Sequence, residues 1–346
     1  MTTPRFILSK KRLLEQLKTL KNLGLKISYS YKTNNIVGNL LQELDETIDF
    51  SIHSKEEIRK IKNKKKIWFF AQAETSKVFE AYLKKGITNF VIDNEIDLKN
   101  LLNAVKKNNK KITLSLRMKT YEHRVGSGKY FVYGMPSEKI NQLIQELKNN
   151  PKILKLGIHI HRKSQNISEW DLKNEIVDSL DKKTFDAIDF INIGGGLPVQ
   201  YKNFSGEKLD YIFEKIKNFK KFLDKLSIET HIEPGRFLAA PCIKLKTKII
   251  QIQDKNIILN TTIYNCALDT LLTNTRMLIK NELNDNEEGS FYLIKGNSPT
   301  RDDIFRYRVK LKNPKIGDEI IFLNAGAYNY TTDFFGYKKL PTEIVD

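Results

Sequence analysis

The chain has 346 residues, with 59 lysines and arginines against 41 aspartates and glutamates, which gives a formal net charge of +18. This length allows a full barrel core and a second domain of about 100 residues. The sequence contains no long uninterrupted apolar segment and no signal-peptide pattern, so we expect a soluble, cytoplasmic protein with no membrane span.

The two cysteines, Cys242 and Cys266, are too few for a disulfide framework and lack the spacing of metal ligands. We therefore predict two buried thiols and no metal site. Lysine clusters such as Lys62–Lys66 and Lys106–Lys111 attract phosphates in principle. They lie amid a general enrichment in lysine, asparagine and isoleucine, which favours a compositional bias over a nucleic-acid interface. A positive field could still steer an anionic small substrate.

In chain order, the first predicted elements are a short strand, Arg5–Leu8, and a helix, Lys10–Leu20. Eight apolar runs typical of buried strands follow, at Lys26–Thr33, Ile48–Ser54, Ile67–Ala73, Asn89–Asn94, Ile112–Met118, Leu156–Arg162, Phe190–Gly196 and Glu229–Gly235. Between them, helical periodicity covers Asn35–Leu44, Ser54–Lys62, Ser76–Lys85, Glu95–Lys107, Ser137–Lys148, Ser168–Ser179 and Gly206–Lys225. Eight such units over roughly 210 residues predict a parallel (β/α)8 TIM barrel.

The sequence after Phe237 predicts a second domain made of strands. They are expected at Cys242–Ile252, Asn256–Thr262, Ser290–Lys295, Ile304–Leu311 and Glu319–Asn324. We divide the chain into an N-terminal strand and helix (residues 1–24), a barrel (25–237) and a C-terminal β domain (238–346). The strand Arg5–Leu8 could cross over to join the C-terminal sheet.

Barrels of this type carry their chemistry at the C-terminal ends of the strands. The predicted ends carry Lys32, Arg117, His161, Ser164, Gly194-Gly195-Gly196 and the turn Glu233-Pro234-Gly235-Arg236. Residues scattered along the sequence are therefore expected to converge on one rim. Each signal is weak by itself, and their convergence carries the prediction.

Lys32 ends the first run, Ile27-Ser28-Tyr29-Ser30-Tyr31-Lys32, and strand alternation predicts that it faces inward with Ser30. A partly desolvated lysine can form a Schiff base with a carbonyl. The alternative is an ordinary surface lysine. The glycines Gly194–Gly196 could bring bare backbone N–H groups close to a phosphate, or could simply form a tight turn. Arg236 could clamp phosphate oxygens with two N–H groups.

Glu233 lies two residues before Gly235, which with Arg236 forms the second candidate phosphate-binding element. The Glu233 carboxylate could therefore hold a protonated ring nitrogen. The alternative is a structural salt bridge with a barrel lysine. His161 could stack on an aromatic cofactor ring. His159 and His161 should point the same way by alternation, so the pattern leaves open which of the two is a core residue.

The motifs resemble, in order, those of the fold-type III pyridoxal-phosphate (PLP) decarboxylases, which include ornithine, diaminopimelate and carboxynorspermidine decarboxylases. They are Tyr29-Ser30-Tyr31-Lys32-Thr33-Asn34, Gly157-Ile158-His159-Ile160-His161 with Ser164-Gln165, Ile193-Gly194-Gly195-Gly196-Leu197-Pro198, Glu233-Pro234-Gly235-Arg236-Phe237, Ala325-Gly326-Ala327-Tyr328 and Phe334-Phe335-Gly336-Tyr337. The resemblance implies the alanine racemase-like barrel plus β domain and a homodimer with composite active sites.

The resemblance also implies the roles of individual residues. Lys32 would bind the cofactor aldehyde, His161 would stack on the ring and Glu233 would pair with the pyridine nitrogen. The phosphate site would comprise Ser164, Gly194, Gly195, Gly196, Gly235, Arg236 and Tyr328, and Arg117 matches the arginine of the fifth strand.

The sequence departs from the family in the loop Gly296–Asp303, which in relatives reaches the neighbouring subunit's site. Pro299 replaces the cysteine that protonates the product, and Thr300 replaces the acid that binds a distal ammonium. Arg301 follows, so we expect a substrate that is acid-bearing or nucleotide-linked rather than a plain diamino acid. Asp269, Asp302 or Asp303 could supply the missing acid.

The sequence therefore predicts a PLP-dependent carboxy-lyase that removes the α-carboxylate of an amino acid as CO2. The same reaction would fit a polyamine-pathway decarboxylase acting on carboxynorspermidine, ornithine, arginine or lysine, or a diaminopimelate decarboxylase. The motifs are also compatible with an amino-acid racemase and with a non-catalytic PLP-binding protein. Glu233 disfavours the racemase, because racemases resembling alanine racemase place an arginine at the ring nitrogen.

Overall fold

A computed structural model describes residues 3–120, 133–204, 208–330 and 336–346 of the chain. The chain divides into two compact units. The first, here called the sheet unit, comprises Met1–Lys18, Pro198–Glu207 and Arg236–Asp346. The second, the barrel unit, comprises Thr19–Leu197 and Lys208–Gly235.

The barrel unit contains the predicted parallel barrel. Its eight strands are β2 (Lys26–Ser30), β3 (Asp49–Ile52), β4 (Ile67–Phe70), β5 (Asn89–Ile92), β6 (Ile112–Arg117), β7 (Ile153–His159), β8 (Phe190–Asn192) and β9 (Glu229–Ile232). They pair in this order and close between β2 and β9. The predicted barrel architecture is confirmed.

Helices connect each barrel strand to the next strand in the sequence, because neighbouring parallel strands need a crossover connection. They are α2 (Asn35–Leu44), α3 (Lys55–Lys60), α4 (Ser76–Lys84), α5 (Glu95–Asn108), α6 (Ser137–Leu147), α7 (Leu172–Ser179), α8 (Lys182–Phe185) and α9 (Leu209–Asp224). The predicted helix Ser168–Ser179 is shorter in the structure, and α8 was not predicted. Gly206, the predicted start of the last helix, lies outside the described residues.

The barrel strands end earlier than the apolar runs predict. β2 ends at Ser30, and a single 3-10 turn, Tyr31–Thr33, carries Lys32. The Asn34 side chain then caps α2 by accepting from the backbone N–H groups of Ile36 and Val37. Strand alternation therefore does not set the direction of Lys32, because Lys32 lies in the 3-10 turn and not in the strand.

The sheet unit contains the remaining strands and helices. The strands are β1 (Arg5–Ser9), β10 (Ile243–Gln253), β11 (Asn256–Leu259), β12 (Leu278–Ile279), β13 (Ser290–Lys295), β14 (Ile304–Leu311), β15 (Glu319–Leu323) and β16 (Thr342–Val345), and the helices after the barrel are α10 (Arg236–Ala239), α11 (Ile263–Cys266) and α12 (Leu268–Thr273). Helix α1 (Lys10–Lys21) follows β1. Of these, α10, α11, α12, β12 and β16 were not predicted.

The N-terminal strand β1 pairs antiparallel with β10 and parallel with β16, so it lies between two C-terminal strands. Residues 198–207 also belong to the sheet unit, where Lys202 N donates to Arg276 O at 2.8 Å. Cys242 and Cys266 are both buried free thiols, as predicted. Among the described residues, none of the helices has the length and apolar character that crossing a membrane requires.

Candidate active site in the barrel mouth

The C-terminal ends of the barrel strands bring several predicted residues to one rim. The register of β2 and β3 pairs Ser30 with Ser51, so Lys32 and His53 each follow two residues beyond that pair. Lys32 and His53 are both exposed. Tyr29 lies below this turn, and its hydroxyl donates to Asn34 O at 2.9 Å.

Glu233 follows β9 and lies at the floor of this mouth, where it is 7% exposed. Its Oε1 accepts hydrogen bonds from Ser51 Oγ at 3.1 Å and from Asn192 Nδ2 at 3.0 Å. Its Oε2 lies 3.1 Å from His159 Nε2. Ser51 is itself 2.8 Å from the Ser28 hydroxyl. Side chains from three barrel strands, β3, β7 and β8, thus hold the carboxylate.

The charge states of this pair follow from burial and hydrogen bonding. Burial would raise the pKa of Glu233, but the hydrogen bonds that it accepts from His159 and from the Asn192 amide lower the pKa below its ordinary value. Burial is also the largest influence on His159 and lowers its pKa, against the attraction of Glu233. At neutral pH the site therefore holds an ionised Glu233 beside a neutral His159.

The structure distinguishes the two histidines that the sequence could not. Their rings are nearly parallel, with centroids 6.4 Å apart and an angle of 7°. His159 is 1% exposed, whereas one side of His161 is open to the mouth although barrel atoms surround the rest of the ring. Desolvation by those atoms is the main cause that lowers the pKa of His161 to about 3, and the proximity of His159 and Arg117 acts in the same direction. His161 is the histidine available to a ligand.

The glycine turn after β8 packs closely on these residues. Gly194 N donates to Asn192 Oδ1 at 2.9 Å, and Gly195 N donates to His161 Nδ1 at 3.3 Å. The prediction of three bare N–H groups is therefore wrong for these two, because neighbouring side chains already accept from them. Gly196 adopts φ +106°, which favours glycine, and its carbonyl accepts from Asn166 N at 2.9 Å.

Ser164 is exposed and lies two residues before Asn166. The hydrogen bond from Asn166 N to Gly196 O therefore connects the loop of Ser164 to the glycine turn. Gly235 closes the opposite side of the site. A Cβ atom there would collide with the Thr33 hydroxyl, so only glycine allows the chain after Glu233 to approach the turn that carries Lys32.

Arg117 ends β6 and is half-buried, with its guanidinium 5.3 Å from the centre of the Tyr133 ring. Burial lowers its pKa, and the charges of Glu233 and Asp93 oppose that effect. Arg117 therefore lies within electrostatic range of the Glu233 carboxylate.

Sequence reasoning missed three residues of the mouth. Ser51 and Asn192 are polar residues inside buried strands, which is the signal that could have found them. His53 lies one residue before the end of the second predicted run, and its ring stacks on Phe70 with centroids 5.0 Å apart. Desolvation and then the charge of Lys32 lower the pKa of His53 to about 4, so it is neutral at neutral pH.

In the sheet unit, Arg236 is buried and already occupied. Its Nη1 and Nη2 donate to Asp269 at 2.6 and 3.0 Å, and Nη1 also donates to the Tyr201 hydroxyl at 3.0 Å. Tyr328 lies with its ring centre 5.2 Å from the guanidinium. Nε is buried without a hydrogen-bond partner among the described residues, so the guanidinium retains one unused donor.

The predicted substrate residues of the sheet unit are largely engaged in their own chain. Asp269 pairs with Arg236, and Asp303 is fully buried, accepting from Ile263 N at 2.8 Å and Ser298 N at 2.9 Å. Neither carboxylate is therefore available as the missing acid, because backbone N–H groups and a guanidinium occupy them. Thr300 bonds the Tyr264 hydroxyl at 2.8 Å, whereas the Arg301 side chain is 91% exposed and pairs with Asp302.

Phe334 and Phe335, the start of the last motif, lie outside the described residues. Within the residues that the structure does describe, no group of three or more His, Cys, Asp or Glu side chains is placed to hold a metal ion.

Comparison with known sequences identifies the family. Residues 10–240 match the family described as pyridoxal-dependent decarboxylase, pyridoxal binding domain, and the chain belongs to that family. The resemblance inferred from the motifs is confirmed.

Among curated relatives, carboxynorspermidine/carboxyspermidine decarboxylase of Campylobacter jejuni is 29% identical over 173 residues, covering 45% of this chain and 44% of the relative. Diaminopimelate decarboxylase of Buchnera aphidicola is 28% identical over 211 residues, covering 52% of this chain and 50% of the relative. The chain spans about half the length of the curated relatives it matches.

Solved structures share the fold along the whole chain. A structure of SrLDC in complex with PLP and cadaverine superposes with a TM-score of 0.83 at 18% identity, covering 99% of this chain and 91% of that chain. At this identity the likeness shows the fold, a parallel barrel with a β domain.

Proposed function

We propose that this protein is a PLP-dependent decarboxylase that removes the α-carboxylate of an amino acid. The observation that carries the proposal is the ionised Glu233, which three donors hold at the floor of the mouth whose rim carries Lys32. A parallel barrel places its reactive groups at this end of the strands. Family membership and the likeness to a PLP-bound decarboxylase structure support the same conclusion.

The residues present fit the cofactor. A carboxylate has about four lone-pair positions, and three donors fill three of them at Glu233, which leaves one for a ring N–H. Gly235 lets the chain after Glu233 pack directly against Thr33, next to Lys32. In the sheet unit, the unpartnered Nε of Arg236 is a donor suited to a phosphate oxygen.

When bound, PLP supplies an electron sink for the electron pair that remains at Cα after CO2 leaves. Lys32 would supply the amine that holds the cofactor aldehyde. Glu233 would accept a hydrogen bond from the protonated ring nitrogen and so would stabilise the positive charge of the ring. His161 offers a flat neutral face, and Ser164, Gly196, Gly235, Arg236 and Tyr328 are the proposed phosphate contacts. Arg117 completes the charged lining.

The carboxylate at the ring-nitrogen position favours decarboxylation over racemisation. A carboxylate stabilises a protonated nitrogen, whereas a cation in that position would keep the nitrogen unprotonated and weaken the sink. Among the described residues around Glu233, the groups that hydrogen-bond it are neutral donors.

Within this class, we propose a substrate whose distal end is not a plain ammonium. Asp269 and Asp303 are both engaged within their own chain, and Arg301 is exposed on the same loop as Thr300. A carboxylate or phosphate tail would gain a contact from Arg301, whereas an ammonium would meet a like charge.

A further part of the proposal is a homodimer in which the loop Gly296–Asp303 of one subunit completes the mouth of its partner. Sedimentation should show a dimer. Mixing Lys32→Ala with Asp303→Asn, which weakens the carboxylate contacts to Ile263 N and Ser298 N that hold the loop, should restore activity, because one site of each hybrid contains an intact Lys32 and an intact loop. Absence of recovery after verified subunit exchange would place all groups of one site in one chain.

The function is tested by loading the purified protein with PLP and reducing it with borohydride. The reduced cofactor should be found on the peptide that contains Lys32, and carboxyl-labelled amino acids should release CO2 before reduction. Lys32→Ala should abolish both results. Lys26→Ala is the matched control, because Lys26 is an exposed lysine at the opposite end of the same strand. Attachment of the cofactor to another lysine would refute the assignment.

The substitution Glu233→Ala tests whether Glu233 acts in PLP binding or in the release of CO2. We expect PLP binding to persist through the phosphate contacts, while CO2 release slows by about 100-fold or more because the charge on the ring nitrogen loses its partner. Turnover close to that of the unmodified protein would reduce Glu233 to a structural role.

A further inference from the structure

His159 lies directly against Glu233 and has no role in the reaction so far described. Its ring is 1% exposed. Its Nε2 is 3.1 Å from Glu233 Oε2, and the ring of Phe70 contacts it edge-on with centroids 5.3 Å apart. It is therefore fixed by packing as well as by hydrogen bonding.

The proton of His159 can be assigned from its partner. An ionised carboxylate only accepts hydrogen bonds, so Nε2 must carry the hydrogen. Nδ1 then carries a lone pair, and it is buried without a partner among the described residues. An unpaired buried acceptor disfavours folding, and an apolar ring of similar volume would avoid that penalty. Stability of the fold alone therefore does not account for a histidine at this position.

The distribution of donors on Glu233 shows what the histidine does. Ser51 and Asn192 both donate to Oε1 and fill its two lone-pair positions. Oε2 accepts from His159 and retains one lone pair. The oxygen left for a ring nitrogen is therefore Oε2, the one that His159 holds.

We propose that His159 is a positioning residue that directs Oε2 of Glu233 to the ring nitrogen of the cofactor. The hydrogen bond itself is independent of the proposed function, whereas its consequence for turnover rests on that function. The charged and titratable groups around His159 are Glu233, Arg117, His53 and the neighbouring His161. Burial keeps the imidazole neutral among them, so it acts as a donor and adds no competing positive charge.

Two substitutions separate the donor from the volume. His159→Phe keeps a ring of similar size and removes the N–H, whereas His159→Gln retains an amide N–H near the position of Nε2. The matched control is His231→Phe, because His231 is another buried barrel histidine paired with a glutamate, 3.2 Å from Glu229, and stacked on Phe190. Circular dichroism and thermal melting verify that each variant folds.

The first measurement needs no cofactor and no substrate. Carbon-13 NMR of the apoprotein follows the titration of the Glu233 carboxyl. In His159→Phe we expect its pKa to rise relative to the unmodified protein, and in His159→Gln and His231→Phe we expect it to remain close. An unchanged titration in His159→Phe overturns the inference, whether or not the protein proves to be a decarboxylase.

The second measurement uses the PLP-loaded protein. Nitrogen-15 NMR of labelled PLP should show a protonated ring nitrogen in the unmodified protein and in His159→Gln, and a lower protonated fraction in His159→Phe. The kcat for CO2 release should fall by about 10- to 100-fold in His159→Phe, with PLP affinity changed much less. Equal loss in His159→Gln and His159→Phe would show a packing role and overturn the inference. If no amino acid releases CO2, the proposed function fails, and the carboxyl titration still decides the role of His159.

Discussion

At the scale of single residues, the three histidines of the barrel mouth differ in their surroundings. His159 is buried against Glu233, whereas His53 and His161 are open to solvent on the mouth side. His161 belongs to a recognisable motif and His53 does not. The register of β2 and β3 nevertheless places His53 beside the turn that carries Lys32.

His53→Ala should lower kcat/KM by roughly tenfold without lowering the stability of the protein. An open imidazole beside Lys32 can hydrogen-bond a bound ligand, and loss of one such bond costs about this factor. The control is Lys55→Ala, an exposed residue of α3 two positions away. Steady-state kinetics and thermal melting of both variants check the prediction. Unchanged kinetics in His53→Ala would exclude a contact with substrate or cofactor.

The pair His159–Glu233 predicts how stability depends on pH. The pKa of His159 is lower in the folded chain than the value of about 6.5 expected when unfolded. Below that pH the unfolded chain binds a proton that the folded chain does not, so the free energy of unfolding falls as pH falls. Glu233 acts in the same direction below about pH 4.3, because its folded pKa is also lowered.

We therefore expect the urea midpoint of the apoprotein to fall between pH 7.5 and pH 5.0. His159→Gln removes the titrating group and should show a smaller fall over the same interval. An equal fall in both proteins would mean that other groups dominate the acid sensitivity.

At the scale of elements, the ends of the barrel strands decide which residues reach the site. Apolar character continues past the last ladder hydrogen bond in most of the eight runs, so the predicted strands extend into the loops that carry Lys32, His161 and Glu233. The loops take their shape from side-chain caps and from glycines that allow close approach.

The pairing of β1 with β10 and β16 should depend on Phe6. This residue is fully buried and stacks on Tyr330, with ring centroids 4.6 Å apart. Phe6→Ala should lower the free energy of unfolding by about 3 kcal/mol, because it leaves a cavity in the core of the sheet unit. Arg5→Ala, which removes only a partly exposed ion pair with Glu343, should cost less than about 1 kcal/mol. Urea unfolding compares the two, and similar losses would contradict the argument.

At the scale of the whole molecule, charge is the property most relevant to substrate choice. The chain carries a net charge of +18, and one of its cations, Arg301, is exposed on the loop Gly296–Asp303. Of the three acids that could compensate, Asp269 and Asp303 are buried in structural bonds of the sheet unit, and Asp302 pairs with Arg301 itself.

A screen of amino acids with acidic, neutral and basic distal groups should therefore rank acidic substrates first in kcat/KM. Arg301→Ala should reduce the preference for acidic over basic substrates by about fivefold or more, consistent with loss of a charge-assisted contact. Lys295→Ala, a lysine in the preceding strand β13, is the control. The idea fails if ornithine, lysine or arginine is the best substrate and Arg301→Ala leaves the ranking unchanged.

Much of the molecule was determined by the sequence alone. Apolar runs alternating with amphipathic helices predict a parallel barrel, because each strand must be buried on both faces and each crossover needs a helix. The ordered motifs around Lys32, His161, the glycine turn and Glu233 predict the family and the rim that carries its residues. These features are local in sequence, so a pattern can reveal them.

Only the tertiary structure decided the polar contacts between distant segments. Ser51 and Asn192 meet at Glu233 because β3, β8 and β9 converge in the barrel, and His159 rather than His161 becomes the buried partner. The sequence predicted Arg236 and Asp303 as ligand-binding residues. In the structure Arg236 donates to Asp269, and Asp303 accepts from two backbone N–H groups. Such pairings form because buried donors and acceptors must be hydrogen-bonded, and which groups are buried together is decided only by the folded chain.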